Sequence, residues 1–264
     1  PGAYPQDIRR MSPFFLLDYN AKQHLPPSQI PRGVGVHPHR GIETVTFANY
    51  GKVAHHDSTG NSGVIGQGDV QWMTAGAGIL HKEYQETEFN RVGGDFQMVQ
   101  LWVNLPAKHK MTPPKYQAIE NKTMGKFFLA DNNSVIEVIA GTYKGIQGPA
   151  ETFSPINLFV ARLEKGAKAD FKFSENDNTG VMILEGSVRA NETEQAYADH
   201  FVLFNNDGTD LLLEALEDSV LLIMNGTPID EPIVPYGPFL MNTKQEIIQA
   251  YKDFENGRFG YLAD

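Results

Sequence analysis

The chain has 264 residues, 41% of them apolar and 20% charged, with a formal net charge of −10 and no cysteine. That length holds one large domain or two ordinary ones of about 100–200 residues each, and the negative charge excludes a free-standing nucleic-acid binder, which needs a basic surface to displace counterions. Without cysteine there are no disulfides and no thiolate ligands, which fits a reducing, cytoplasmic compartment; no apolar run is long enough to span a bilayer and no signal-peptide pattern is present, although the sequence starts at Pro1 and a short leader could precede it.

Residues 1–31 mix the apolar run Phe14-Phe15-Leu16-Leu17 with prolines and lack a helical period, so they are expected to be extended. Residues 41–50 alternate and are rich in Thr, Val and Phe, which predicts a strand; residues 52–58 predict a second, followed by the loop-forming composition of 58–63. Gly66-Gln67-Gly68-Asp69 turns the chain into a strand at 70–73, and residues 96–105 read as a long strand apolar on both faces, as in a buried barrel wall. Many short strands at regular turn spacing, with hardly any helical pattern, predict an all-β chain of antiparallel barrels or jelly rolls.

The polar stretch 108–122 carries Pro113-Pro114 and is the expected interdomain linker, dividing the chain into residues 1–115 and 116–264. Strands are expected again at 126–130, 134–143, 157–163, 180–184, 187–190, 200–204, 210–215 and 219–225. The tail is the one clear helix predicted, within the second domain and laid against a barrel face. Thr243 and Glu246 form a capping box, Ile247, Ile248, Tyr251 and Phe254 recur at helical spacing, and Gly257 ends it.

Four side chains of metal-ligand type gather in residues 35–84. Residues two apart on a strand share a face, so His37 converges with His39 and His81 with Glu83; on neighbouring strands of a barrel wall all four meet in its interior. Three neutral imidazoles and a carboxylate suit a divalent transition ion, namely iron, nickel, copper, manganese or zinc, over calcium. Of the adjacent His55 and His56 only one can face inward, and His55 shares the parity of the apolar Val53, which makes it the candidate to line the pocket.

The pattern His37-x-His39-x3-Glu43 ahead of a turn at Gly51, and Gly68-Asp69 followed by Gly76-x-Gly78-x-x-His81, resemble the two cupin motifs. More narrowly, the segments HPHRGIETVTF, GDVQWMTAGAGILHKEY, QLWVNLP and YGPFLMNTKQEI resemble the pirin family, in the same order through nearly the whole chain. The resemblance implies two tandem cupin barrels (jelly rolls, or double-stranded β-helices) with a short C-terminal α-helix. It also implies one iron, Fe(II), in the N-terminal barrel, bound by the residues matching His37, His39, His81 and Glu83. Glu43 has the facing of His37 and His39, and many cupins use the glutamate at that place, whereas pirins use the one two residues after the last histidine. Glu83 is therefore the expected ligand, with Glu43 and His55 the candidates to support the ligands from behind, Glu43 by accepting the free N–H of an imidazole.

The two halves read as a diverged repeat, Gly51-Lys52-Val53 answering to Gly186-Ser187-Val188 and Gly68-Asp69-Val70 to Ala198-Asp199-His200. Equal intervals place Lys172, Ser174, Leu211 and Leu213 where a second barrel would need ligands, so that half is expected to be metal-free. Four protein ligands on an octahedral ion leave two positions for a small aromatic or enolic substrate and dioxygen, with Glu83 able to take a substrate hydroxyl proton. The pirin resemblance implies a quercetinase-type ring-opening dioxygenase, or alternatively an iron-binding redox sensor that regulates a transcription factor or metabolic enzyme as its protein partner.

Overall fold

The computed structural model describes residues 8–130 and 133–263, so the first seven residues of the expected extended start lie outside the described residues. Contacts divide these residues into two compact units, 14–120 with 229–263 and 8–13 with 121–228. The first unit contains β1 (Phe14–Leu25), β2 (Gly33–His39), β3 (Ile42–Tyr50), β4 (Val53–Asp57), β5 (Ser62–Ile65), β6 (Val70–Thr74), β7 (Ile79–Gln85), α1 (Thr87–Val92), β8 (Gly94–Asn104) and β9 (Lys115–Ile119). One antiparallel sheet has the order β1-β8-β3-β6-β9 and the other β2-β7-β4-β5, the two-sheet construction of a jelly roll. The first is lined by buried apolar residues such as Val45, Phe47, Val99 and Leu101, whereas β7 alternates buried Ile79, His81, Glu83 and Gln85 with partly exposed neighbours.

The stretch 108–122 is more than a linker. Its residues Lys115–Ile119 form β9, paired with β6 from Val70↔Ile119 to Thr74↔Lys115, and the Lys110 ammonium is buried against the Asn104 side chain and the carbonyls of Gly41 and Leu240. The prolines hid a five-residue strand whose alternation is too short to stand out. The short α1 was likewise not foreseen; the Glu86 carboxylate caps it by accepting from the backbone N–H groups of Glu88 and Phe89.

The second unit repeats the construction with a six-stranded sheet and a four-stranded one, the latter ordered Lys168–Lys172, Asp210–Ala215, Ser187–Ala190, Glu194–Tyr197. Its interior is filled by Tyr143, Phe159, Phe171, Val181, Leu213 and Ile223, among others. Interval counting was one residue out of register here. Lys172 is exposed and pairs with Asp210, while the inward positions of that strand are Ala169 and Phe171, opposite Leu213 and Leu211.

The tail departs from the expected division at 115/116. Residues 229–263 belong to the first unit, not the second. They form a hairpin of Val234–Tyr236 with Phe239–Met241 and then α2 (Lys244–Glu255), with the Thr243/Glu246 capping box in place and Gly257 at φ 71° just past its end. Ile247 and Ala250 pack with Phe239, Met241 and Phe259, but Ile248 of the predicted stripe stays more than half exposed. Among the described residues no helix is long and apolar enough to cross a membrane.

Gly41 joins the tail to the barrel. It sits at φ 79°, and a Cβ there would lie 2.1 Å from the Leu240 carbonyl oxygen. Gly41→Ala is expected to destabilise the protein by about 1–3 kcal/mol or more, because left-handed strain and overlap with backbone add; thermal unfolding followed by circular dichroism measures it.

Candidate metal centre

Strand pairing delivers the convergence that parity required. In the four-stranded sheet β2 and β7 are neighbours with His37 opposite His81, and β4 flanks β7 on its other side with His55 opposite Glu83. The imidazoles of His37, His39 and His81 come together with ring centroids 4.2–5.0 Å apart and a ligand atom of each within 4.8 Å of the others.

Hydrogen bonds set which nitrogen of each ring is free. His37 Nδ1 lies 2.8 Å from the Gly35 carbonyl and His39 Nδ1 lies 3.1 Å from that of Pro238. A carbonyl only accepts, so both Nδ1 atoms carry the proton and both Nε2 atoms keep a lone pair. His81 is fully buried and neither ring nitrogen has a partner. Burial, then the neighbouring His37, hold the His39 imidazole down at about 3, with the Pro238 carbonyl pulling the other way; His81 is likewise held well below its ordinary value, by burial first and the other histidines next. His39 and His81 are therefore neutral at pH 7, the state a metal ligand needs.

Glu83 joins a second group, with His81 and His55, whose ligand atoms also lie within 4.8 Å of one another. Its Oε2 is 4.0 Å from His81 Nδ1. The carboxylate is gripped from the opposite sheet: Gln71 Nε2 donates at 2.7 Å and Thr46 Oγ1 at 3.2 Å to Oε1, and Gln100 Nε2 donates at 2.6 Å to Oε2. These three are one row across β8, β3 and β6, since Thr46 pairs with Gln100 on one side and Gln71 on the other. Sequence reasoning passed over them, yet a signal existed: each is a polar residue on the inward face of an apolar strand.

His55 faces inward, as its parity indicated, and stacks on Tyr116 of β9 with centroids 4.9 Å apart. Its Nε2 is 3.2 Å from Asp57 Oδ2, and its Nδ1 faces the Gln71 amide at 3.2 Å. Burial raises the Asp57 carboxyl, but bonds from His55, Thr59 and Asn61 outweigh it and hold the group at about 2, an anion that accepts a hydrogen bond from His55 Nε2–H. Glu43 is different. It is buried in the other sheet, its Oε1 accepts from Thr74 at 2.7 Å rather than from an imidazole, and burial pushes it up to about 7.

A cavity of about 340 Å³, lined by Asp18, Asn20, Arg32, Val34, Phe96 and Met98, opens onto Glu83 and Gln100. The residues present fit a divalent transition ion. His55 and Glu83 already have partners on every polar side-chain atom, whereas His37 and His39 retain Nε2 and the fully buried His81 retains both nitrogens, where an unpaired polar atom costs about 1–3 kcal/mol.

His37→Ala and His81→Ala are each expected to lose most bound metal by elemental analysis while keeping the β-rich spectrum. In the metal-free protein the lowered His39 gives a defined pH dependence. The folded ring stays neutral between about 3 and 6.5 while the unfolded one binds a proton, so stability is complete above 6.5 and is lost as pH falls toward 3. Glu43 has the opposite sign, since its raised value withdraws stability as pH climbs from 4.5 to about 7. Denaturation midpoints against pH should therefore fall less steeply on the acid side in His39→Gln, where the lowered His81 still contributes, and rise near pH 7 in Glu43→Gln.

Comparison with known proteins gives the lineage. Residues 2–103 match the Pirin family profile and residues 158–260 that of the Pirin C-terminal cupin domain. A Pseudomonas aeruginosa protein provisionally named a quercetin 2,3-dioxygenase is 47% identical over 251 residues, 95% of this chain and 87% of that one. Pirin-like protein 2 of Arabidopsis thaliana is 36% identical over 269 residues, 98% of this chain and 79% of its own. The crystal structure of a quercetin 2,3-dioxygenase from Acinetobacter baumannii superposes with a TM-score of 0.92 at 48% identity, over 97% of this chain and 88% of that one. With both cupin domains matched in order and relatives similar along nearly their whole length, the chain belongs to the pirin family.

Proposed function

We propose that this protein is a metal-dependent dioxygenase of the quercetinase type, opening a ring of a flavonol or a related enol with dioxygen. The observation that carries the reading is His81, buried with both nitrogens unpartnered and grouped both with the His37/His39 pair and with Glu83, the carboxylate that borders a cavity large enough for a small aromatic molecule. The names of the relatives from Pseudomonas aeruginosa and Acinetobacter baumannii support it.

His37, His39, His81 and Glu83 would hold the ion, with Fe(II) the proposed native metal and nickel, copper, manganese and zinc compatible with the same donors. When bound, such an ion supplies Lewis acidity toward an enolic oxygen and an electron path for dioxygen. The remaining work falls to the chain. Phe96, Met98 and Val34 give the cavity an apolar wall for an aromatic ring, and Gln100 stands beside Glu83 at its floor. Glu83 takes the proton from the substrate hydroxyl onto a carboxylate oxygen. Gln71, Thr46 and Gln100 keep the carboxylate turned, and Tyr116, pushed up to about 12 by burial and the nearby Glu83 and Asp57, remains a neutral donor to Gln71.

The test is anaerobic loading with Fe(II), followed by oxygen-electrode and absorbance assays with flavonols. Uptake of dioxygen matched to loss of the flavonol band is expected. Glu83→Gln should abolish turnover and weaken metal binding, since an amide cannot take the proton. Glu43→Gln should do neither, because its partner is Thr74. A loaded, folded protein that consumes no dioxygen with any flavonol would sink the enzymatic reading and leave the metal-sensing regulator, acting through a protein partner, as the better one.

A further inference from the structure

The C-terminal segment meets the metal-site sheet where a ligand strand ends, with Phe239 bridged to Arg40. His39 points inward, and the next residue, Arg40, points to the opposite face, where its guanidinium is almost wholly buried. Nε donates to the Ala77 carbonyl at 2.6 Å, and Nη1 donates to Asp253 Oδ2 of α2 at 2.8 Å, the two side chains being 5% and 8% exposed. The other Asp253 oxygen accepts from Gln249 and Arg258, each at 2.8 Å, so the carboxylate is fixed on both sides. The Arg40 carbonyl accepts from Leu240 N–H at 3.1 Å, and Lys110 Nζ ties the Leu240 and Gly41 carbonyls together.

Two residues before Leu240, the Pro238 carbonyl is the group that accepts a hydrogen bond from His39 Nδ1–H. The tail therefore reaches the same ligand twice, by a carbonyl on its ring and by an ion pair on the following residue. A guanidinium stays charged and presents its donors in a rigid fork, so Arg40 serves Ala77 and Asp253 from a single orientation. Removing the carboxylate leaves the buried cation only the Ala77 carbonyl and the face of the Phe259 ring, 4.8 Å away, and the strand end that carries His39 is expected to shift to hydrate it.

We propose that Asp253, acting through Arg40, is a positioning residue for His39, and that the Pro238 carbonyl makes Nε2 the ligating nitrogen. This rests on the metal-centre reading above, with Asp253 one element away from every proposed ligand. It gives the tail helix a role beyond packing: the C-terminal segment is a working part of the N-terminal metal site.

The experiment compares the full-length protein with Asp253→Asn, with the double variant Arg40→Met/Asp253→Leu, and with Ile247→Val. The double variant removes both charges and so leaves neither buried alone; Ile247→Val loosens tail packing without touching the ion pair. Two readouts are taken. Histidine ¹⁵N shifts of the metal-free protein report the His39 tautomer, and cobalt(II) titration reports affinity and the ligand-field spectrum. Asp253→Asn and the double variant should weaken cobalt about 10–100-fold, alter its spectrum and lose the Nδ1–H signature of His39, while Ile247→Val changes none of these. A folded double variant with unchanged His39 shifts, cobalt affinity and spectrum overturns the proposal, as does an equal loss in Ile247→Val. If the unaltered protein binds no cobalt, the metal reading fails, and the His39 shifts still decide the positioning role.

Discussion

His39 and His81 are buried imidazoles, and neither can be protonated there without losing the solvation that a charged ring requires. That constraint organises the first unit. His81 keeps two bare nitrogens at a depth where almost all polar atoms are paired, and its neighbours donate their Nδ1–H groups to the carbonyls of Gly35 and Pro238, so that each keeps its lone pair on Nε2. The cross-strand register of β2 with β7 holds the rings together, because a slip of one residue would turn His37 and His39 to the outer face.

The wall opposite is made to answer this cluster. Thr46, Gln71 and Gln100 place amide and hydroxyl donors where most barrel strands place aliphatic side chains, and all three end on one carboxylate. Glu43 and Glu83 show that environment decides what a carboxylate does. Glu43, buried with Thr74 as its donor, is driven toward the neutral form; Glu83, with three donors and an edge on a cavity, is held in orientation and can be reached.

The second unit shows the alternative use of the same architecture. Where the first leaves a polar centre, the second stacks Phe159, Phe171 and Phe173 and lines its interior with apolar side chains such as Leu211 and Leu213. One jelly roll is built around chemistry and the other around packing, although their strand orders correspond.

Much of this was legible in the sequence, because strand parity is a local property. Alternation with period two identified most strands, put His37 with His39 and His81 with Glu83, and chose His55 over His56, while the capping box marked the tail helix to the residue. What local pattern cannot carry is partnership between distant segments. Nothing near Asp253 says that it will pair with Arg40, 213 residues away, and nothing near Pro238 says that its carbonyl will accept a hydrogen bond from His39. The return of residues 229–263 to the first unit, the strand hidden behind the prolines of the supposed linker, and the split of the four candidate ligands into two groups sharing His81 were likewise settled only by tertiary packing. Side-chain facing is fixed by the backbone of a single strand, but hydrogen-bond partners are fixed by which strands and tails the fold brings into reach.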